Sequence, residues 1–529
     1  MRYRLGPLPE ADRRLVASRG WLRRAVLVVL MITMSMSAAL VSAASERDRS
    51  SPFRRGPTGL DVPIRTARGT VSAERRSDVG RAATPTPSNG FEAIRRIGGH
   101  WPADPTGALG EQWILTAANS SYALYDRTGA AVIGPNPLAT LLSTPTRAEV
   151  FDPKVVYDQY RGRFILAYLV VDEGQRRSWI SIITIPDATA TDASTWCATR
   201  LVADRTAGDG KQFADYTGLG YDERHVVVTT NIYDFADHRF RGATVLAFAK
   251  GRLYDCGRTV AFDTFTGAET RNPSGTPGFT VQPASTVGTG GPLYLTSFDP
   301  GRPNYVVLWR LDERGGQTVL RNVAMRVASV HVAGFATQGG GDVDHRDTWW
   351  DPGDLRFVST FTDLGLGSVF TAHVIGHDLR PDLGRPYAEA AIRWYEIRPT
   401  PILQATRVVR TGTIGAPETD AGWPALATDQ AGDLFVTYSR ASAITYEFLS
   451  AWVAEIEPNT NLETTTQLAS GTARLEAVKG PERWGDYAAL SRDPLDGRFL
   501  LAVNQVAVAD GEGPTRDWRQ IVQTVTHGP

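Results

Sequence analysis

One unit recurs along the chain from residue 104 onward: a polar or proline-containing turn, a short strand, an acidic or glycine turn, then an apolar strand. It reads Asp104-Pro-Thr-Gly-Ala-Leu-Gly-Glu-Gln-Trp-Ile-Leu, then Asp152-Pro-Lys-Val-Val-Tyr-Asp-Gln-Tyr-Arg-Gly-Arg-Phe-Ile-Leu, then Asp215-Tyr-Thr-Gly-Leu-Gly-Tyr-Asp-Glu-Arg-His-Val-Val-Val. Weaker copies begin at Pro283 and span Asp344 to Ser359. Clearer ones follow at Pro424 and at Asp486-Tyr-Ala-Ala-Leu-Ser-Arg-Asp-Pro-Leu-Asp-Gly-Arg-Phe-Leu-Leu. A small twisted sheet cannot cover both of its own faces, and radial stacking buries them while leaving only short edges. A four-stranded blade needs roughly 40–50 residues. The unequal spacing disfavours a solenoid, and no Cys…Trp…Cys pattern marks an immunoglobulin sandwich. The expectation is an all-β fold, a β-propeller of seven blades, with six or eight as open alternatives because the fourth and fifth copies are weak. Its domain would run over residues 91–529.

The apolar runs agree. Trp113-Ile-Leu-Thr-Ala, Arg163-Phe-Ile-Leu-Ala-Tyr and Asp433-Leu-Phe-Val-Thr-Tyr are rich in β-branched and aromatic residues and are bounded by Gly, Pro, Asp and Asn.

The N-terminal part has a different character. The first 90 residues carry +9, which leaves −10 on the remainder against a total of −1. Arg13, Arg14, Arg19, Arg23 and Arg24 precede an uncharged apolar run, Ala25 to Val41, and then Ser42-Ala43-Ala44. That order is the signal-peptide pattern, predicting cleavage near residue 44. The alternative is an uncleaved anchor, although the run is at the short limit for crossing a bilayer. Residues 45–90 are rich in Arg, Ser, Pro and Gly with one aromatic, Phe53, and are expected to be a disordered linker. The protein is thus expected to be secreted or held at the cell surface. Its only cysteines, Cys197 and Cys256, are a candidate disulfide in an oxidising compartment. The acidic body argues against a nucleic-acid partner. Membrane association is expected only through a retained signal segment.

Several motifs in order resemble those of secreted bacterial sialidase-like β-propeller proteins. Pro102-Ala-Asp-Pro-Thr-Gly-Ala-Leu-Gly is similar to their PPDTxGAVG opening, and Asp152-Pro-Lys-Val-Val-Tyr-Asp to DPxVxYD. Asp215-Tyr-Thr-Gly-Leu-Gly is similar to DYPKIG, and Arg483-Trp-Gly-Asp-Tyr-Ala-Ala-Leu-Ser-Arg-Asp-Pro to RWGDYSxxxxDP. Ala103 and Thr217 depart from the pattern at positions where those proteins have proline. The resemblance implies a secreted propeller without an established common activity.

Asp104, Asp152, Asp215 and Asp486 occupy one place in the repeat. In a propeller such positions fall on one ring around the axis, where carboxylates could hold Ca²⁺ or accept hydrogen bonds from sugar hydroxyls. The alternative is that each caps its own turn. Gly339-Gly-Gly-Asp-Val-Asp-His-Arg-Asp-Thr-Trp-Trp contributes Asp342 and Asp344 as candidate metal ligands, and Asp347 and Trp350 as candidate ligand contacts. Arg483 and Trp484 complete the candidate set, Arg for an anionic saccharide and Trp for stacking. Both tryptophans could equally be core.

No P-loop, dinucleotide fingerprint, HExxH or Gly-x-Ser-x-Gly is present. No intact sialidase Arg-Ile-Pro or Ser-x-Asp-x-Gly-x-x-Trp box occurs either, so catalytic residues stay unassigned. The leading expectation is an exported propeller that binds extracellular carbohydrate or a cell-envelope polymer through loops on one face. It requires no cofactor, and Ca²⁺ is an optional one. The alternatives are a glycan-active hydrolase or lyase, and a purely structural surface protein.

Overall fold

The computed structural model describes residues 84–96, 101–203, 211–256, 260–341, 348–377, 389–458, 460–476, 481–509 and 517–528. The expected signal segment and residues 45–83 lie outside the described residues. So do Asp342, Asp344 and Asp347. Contacts divide the chain at Ala83/Thr84, and the unit from Thr84 onward is a β-propeller.

Five sheets are separate four-stranded blades. Three of them are up-and-down meanders of consecutive strands. The first comprises Thr106–Leu109, Trp113–Ala118, Ser121–Asp126 and Ala131–Pro137, and the second Glu149–Asp158, Arg163–Asp172, Arg177–Pro186 and Cys197–Val202. The third comprises Asp420–Thr428, Leu434–Ser442, Glu447–Ile456 and Glu463–Ala469. A fourth blade is built on Phe279–Pro283, Leu293–Phe298, Tyr305–Arg314 and Gln317–Arg326. The fifth closes the ring: Ala489–Arg492, Phe499–Val508 and Asp517–Thr526 are completed by Thr86–Arg95 from the other end of the domain. A nine-stranded sheet contains two more antiparallel meanders, one starting at Gln212–Tyr221 and one at Ser359–Asp363. The short strand Ser285–Val287 bridges them through parallel pairing.

The first strands of these units touch in a closed circuit. Thr106–Leu109 meets Glu149–Asp158, which meets Gln212–Tyr221, then Phe279–Pro283, Ser359–Asp363, Asp420–Thr428, Ala489–Arg492 and Thr106–Leu109 again. These strands line the axis, and the later strands of each sheet lie outward.

The apolar runs are continuous because the sheets are buried on both faces. Along Arg163–Asp172, Phe164, Leu166 and Tyr168 join a cluster with Leu115 and Leu124 of the preceding blade. Ile165, Ala167 and Leu169 join Val228 and Phe248 of the following sheet. The same alternation repeats around the ring, where Leu308 packs with Val369 and Val307 with Val227. Adjacent residues of one strand therefore hold it to two different neighbours.

Two sequence expectations change. The domain starts earlier than residue 91, because Thr86–Arg95 begins inside the stretch taken as linker. Its polar composition reflects an outer-edge position, where mainly Ile94 is buried. The fifth repeat copy, placed over Asp344 to Ser359, sits too early: the axial strand there is Ser359–Asp363. His373 lies inside the strand Ser368–His377 and is buried.

Cys197 and Cys256 form a disulfide with Cα atoms 4.9 Å apart. It ties the outer strand of one blade to the end of the short helix Lys250–Tyr254. Closing a loop of 59 residues removes roughly 4 kcal/mol of unfolded-chain entropy. Reduction, or Cys197→Ser with Cys256→Ser, is therefore expected to lower stability by about 2–4 kcal/mol, read from the urea midpoint with and without reductant. Among the described residues, no helix is long and apolar enough to cross a membrane.

Candidate functional site

The axial strands open with a backbone device. Asp152, Tyr216, Thr280 and Trp423 have φ of 51°, 57°, 47° and 52°, and each falls in a register break of its blade. Asp104, with φ of 48°, precedes its strand in the same way. A β-bulge bends a strand and re-aims the side chains around it. Left-handed φ is uncommon outside glycine and is tolerated best by Asp and Asn, which suits Asp104 and Asp152.

This corrects the register read from sequence. Asp104 and Asp152 occupy the left-handed position, whereas Asp215 precedes the left-handed Tyr216 by one residue. Asp486 is also followed by a tyrosine, Tyr487, but that residue is not left-handed. The acids are not strictly equivalent, yet they converge. Carboxylate oxygens of Asp104, Asp152 and Asp486 all lie within 4.8 Å of one another. The negative charges of Asp215 and Asp486 both act on Asp152, which places Asp215 beside the trio.

Nor does each acid cap its own turn. The Asp486 backbone N–H donates to Asp104 Oδ1 at 2.7 Å, and the Tyr216 N–H donates to Asp152 Oδ2 at 3.0 Å. Asn119 Nδ2 donates to Asp104 Oδ2 at 2.6 Å, while Asn119 Oδ1 accepts from the Asp152 N–H at 2.9 Å. These bonds lace the closing blade to the first, the first to the second and the second to the strand Gln212–Tyr221, so the acids help hold the ring shut.

Three cations face the acids. Arg483 pairs with Asp486. Arg356 makes a two-pronged pair with Asp354, at 2.7–3.0 Å, and its guanidinium lies 5.4 Å from the Tyr216 ring. Lys154 Nζ stands 3.2 Å from the centre of the Tyr487 ring. The Tyr487 hydroxyl donates to the Pro153 carbonyl at 2.7 Å, whereas the buried Tyr216 hydroxyl has no hydrogen-bond partner among the described residues.

Burial sets the electrostatics. It pushes the Asp104 carboxyl up to about 7, helped by the negative charge of Asp486. Burial also raises Asp152 and Asp215, with neighbouring carboxylates adding to it. Asp486 feels the same burial, but the guanidiniums of Arg483 and Arg356 outweigh it and hold the group below the usual range. Burial pulls Lys154 down to about 7 against the pull of Asp104 and Asp152. At neutral pH one carboxylate is thus firmly charged, its neighbours hold protons more readily than free Asp, and the lysine gives its proton up easily.

The site is partly open. Asp215, Asp351, Asp354, Arg356 and Arg483 are half-buried, whereas Asp104, Asp152, Lys154 and Asp486 are buried. Beside it, the axial strands line a half-open cavity of about 80 Å³ that includes Lys154. That volume admits a few waters.

The tryptophans are core. Trp350 and Trp484 are fully buried, with Nε1 donating to the Thr337 carbonyl at 3.0 Å and to Ser439 Oγ at 2.9 Å. Neither offers a face to a sugar. Sequence reasoning missed Lys154, Arg356, Tyr216 and Tyr487. The repeated Asp-Tyr pair at 215–216 and 486–487 was a usable signal, and so was a lysine two residues after Asp152 in a chain with only four. Arg356 lies in the degenerate fifth copy and gave none.

No protein-family model matches the chain, and no curated protein matches it. Solved structures similar to it include a protein of unknown function from Dyadobacter fermentans, at 11% identity and TM-score 0.38, covering 73% of this chain and 97% of that one. Another is the GH93 α-L-arabinofuranosidase of Fusarium graminearum in complex with arabinobiose, at 7% identity and TM-score 0.38, covering 83% and 98%. A third is a Hadza microbial sialidase, at 11% identity and TM-score 0.38, covering 78% and 73%.

Proposed function

We propose that this is an exported seven-bladed propeller whose carboxylate-ringed axial recess binds an extracellular carbohydrate or cell-envelope polymer, with a calcium-type cation as an accessory. The seven blades are the five separate ones plus the two meanders that Ser285–Val287 joins into one sheet. Export rests on the signal-like segment, and the disulfide is compatible with an oxidising compartment.

The observation that carries the binding reading is the convergence of Asp104, Asp152 and Asp486 at a half-open end of the axis, with Asp215, Arg356 and Arg483 around them. Carboxylates and guanidiniums arranged around an open recess are suited to the many donor and acceptor hydroxyls of a sugar. Two oxygens on one Ca²⁺ at about 2.4 Å can stand no more than about 4.8 Å apart, and the three acids meet that limit. Lys154, already prone to lose its proton, can yield to the incoming ion.

The second reading is a glycan hydrolase. One observation favours it: Asp104 and Asp486 have affinities for protons driven in opposite directions, as an acid and base pair requires. Their spacing favours it less. Glycosidase carboxyls stand about 5–5.5 Å apart when retaining and about 6.5–9.5 Å when inverting, further than the three acids here.

The test is a carbohydrate panel of plant and envelope polysaccharides presented to the purified domain, with soluble products followed by chromatography. Binding without products supports the first reading. Products abolished by both Asp104→Asn and Asp486→Asn replace it with the second. Neither binding nor products leaves the surface-structural alternative standing.

A further inference from the structure

A second cluster lies where the ring closes, away from the axial recess. Asp433 stands at the start of Leu434–Ser442, Glu455 lies in Glu447–Ile456, and His527 follows the final strand Asp517–Thr526. Their ligand atoms lie within 4.8 Å of one another. His527 Nδ1 contacts Glu455 Oε1 and is 3.7 Å from Asp433 Oδ2.

The Glu455 side chain is 1% exposed. Its second oxygen, Oε2, is buried and has no hydrogen-bond partner among the described residues. A buried carboxylate oxygen without a donor forgoes the pairing that ordinarily offsets desolvation. His527 supplies a single interaction to Oε1 and does nothing for Oε2. The His527 ring is 42% exposed, which gives an ion a path in.

We propose that Asp433, Glu455 and His527 form a site for a borderline divalent transition ion such as Zn²⁺. One imidazole nitrogen and two carboxylate oxygens are ordinary zinc ligands, and a water would complete four-coordination. An imidazole ligand argues against calcium, which takes oxygens. Binding would release the proton that His527 and Glu455 share, because the metal needs neutral imidazole and ionised carboxylate.

The location gives the ion a structural consequence. His527 leaves the closing blade and reaches the blade of Asp433 and Glu455. Its neighbour Gly528 packs so tightly on Thr84 that a Cβ there would collide with the Thr84 carbonyl. Thr466 Oγ1 donates to the Pro85 carbonyl at 2.8 Å nearby. The ion would therefore latch the last turn of the ring at the point where both ends of the domain meet.

The test uses the full mature chain, dialysed against chelator and titrated with Zn²⁺ and, separately, with Ca²⁺. One Zn²⁺ per chain should bind at this site and raise the melting temperature by several degrees. His527→Ala and Glu455→Gln should each weaken that binding at least tenfold, whereas Asp486→Asn at the axial recess should leave it unchanged. His527 lies beyond the last strand, so its replacement leaves the blades intact. No Zn²⁺ uptake by the folded wild-type protein, or uptake equal in His527→Ala and wild type, overturns the proposal and leaves only an ion pair.

Discussion

Without divalent cation, the protein is expected to lose stability as pH rises from about 4 to about 7. Asp104 is driven from 3.8 up to about 7 in the folded protein by burial and by Asp486. The native state therefore holds a proton through that interval which the unfolded chain has released. Stability falls with pH wherever the native state binds more protons. Three pH units at about 1.4 kcal/mol each give roughly 4 kcal/mol for Asp104 alone. Asp152 and Asp215 shift in the same direction. Lys154 acts oppositely at higher pH: its fall from 10.5 to about 7 makes stability recover above neutrality. Asp486, held below 3.8, matters only under strong acid, where its contribution is lost as the group protonates. The cation-free protein should thus be least stable near pH 7. Millimolar Ca²⁺ should flatten the fall, since it favours ionised carboxylates in the folded state. Urea midpoints at pH 5 and 7.5, with Ca²⁺ or EDTA, measure this. Asp420, Glu455 and Glu463 are also raised, so the part owed to the axis is the part that Asp104→Asn removes. A fall that Asp104→Asn leaves unchanged would contradict the account of the recess.

Deleting Thr84–Arg95 is expected to be as damaging. That segment pairs along Asp517–Thr526 from Thr86 opposite Thr526 to Arg95 opposite Arg519. It buries Ile94 and sets Phe91 against Tyr125, with ring centres 4.8 Å apart. Losing one such aliphatic side chain costs about 2–5 kcal/mol, and loss of the strand also exposes a sheet edge. A fall of at least about 4 kcal/mol should follow, a large share of the 5–15 kcal/mol that holds a typical domain folded. Calorimetry of a chain starting at residue 84 against one starting at residue 96 decides it. Equal melting temperatures would show that the closing strand contributes little.

The same strand shows what sequence patterning can and cannot reveal. Arg163–Asp172 and His225–Asp234 were legible because both faces are buried, so the runs are apolar throughout. Thr86–Arg95 is mostly exposed and contains Pro87 and Gly90, so it looks like linker. Its partner strand is over 400 residues away, and no local signal marks such a pairing. The acids were legible for a related reason. A ring fold repeats a position, and Asp at that position repeats with it. Their exact register was hidden because a bulge shifts Asp215 by one residue against Asp104 and Asp152. Trp350 and Trp484 misled because a tryptophan beside charged residues has the same sequence appearance in a core as on a sugar platform. Burial distinguishes them, and burial is a property of the assembled ring.

Asp215 offers the most direct measurement of the central claim. It is half-buried at the recess, and its carboxylate makes no hydrogen bond to a side chain among the described residues, so Asp215→Asn should leave the fold intact. A saccharide found on the carbohydrate panel should be titrated by calorimetry into the wild type, Asp215→Asn and Arg356→Ala. Binding at the axial recess predicts at least a tenfold loss of affinity in both variants, with a melting temperature for Asp215→Asn no lower than that of the wild type. Undiminished affinity in both would place the ligand elsewhere and contradict the account.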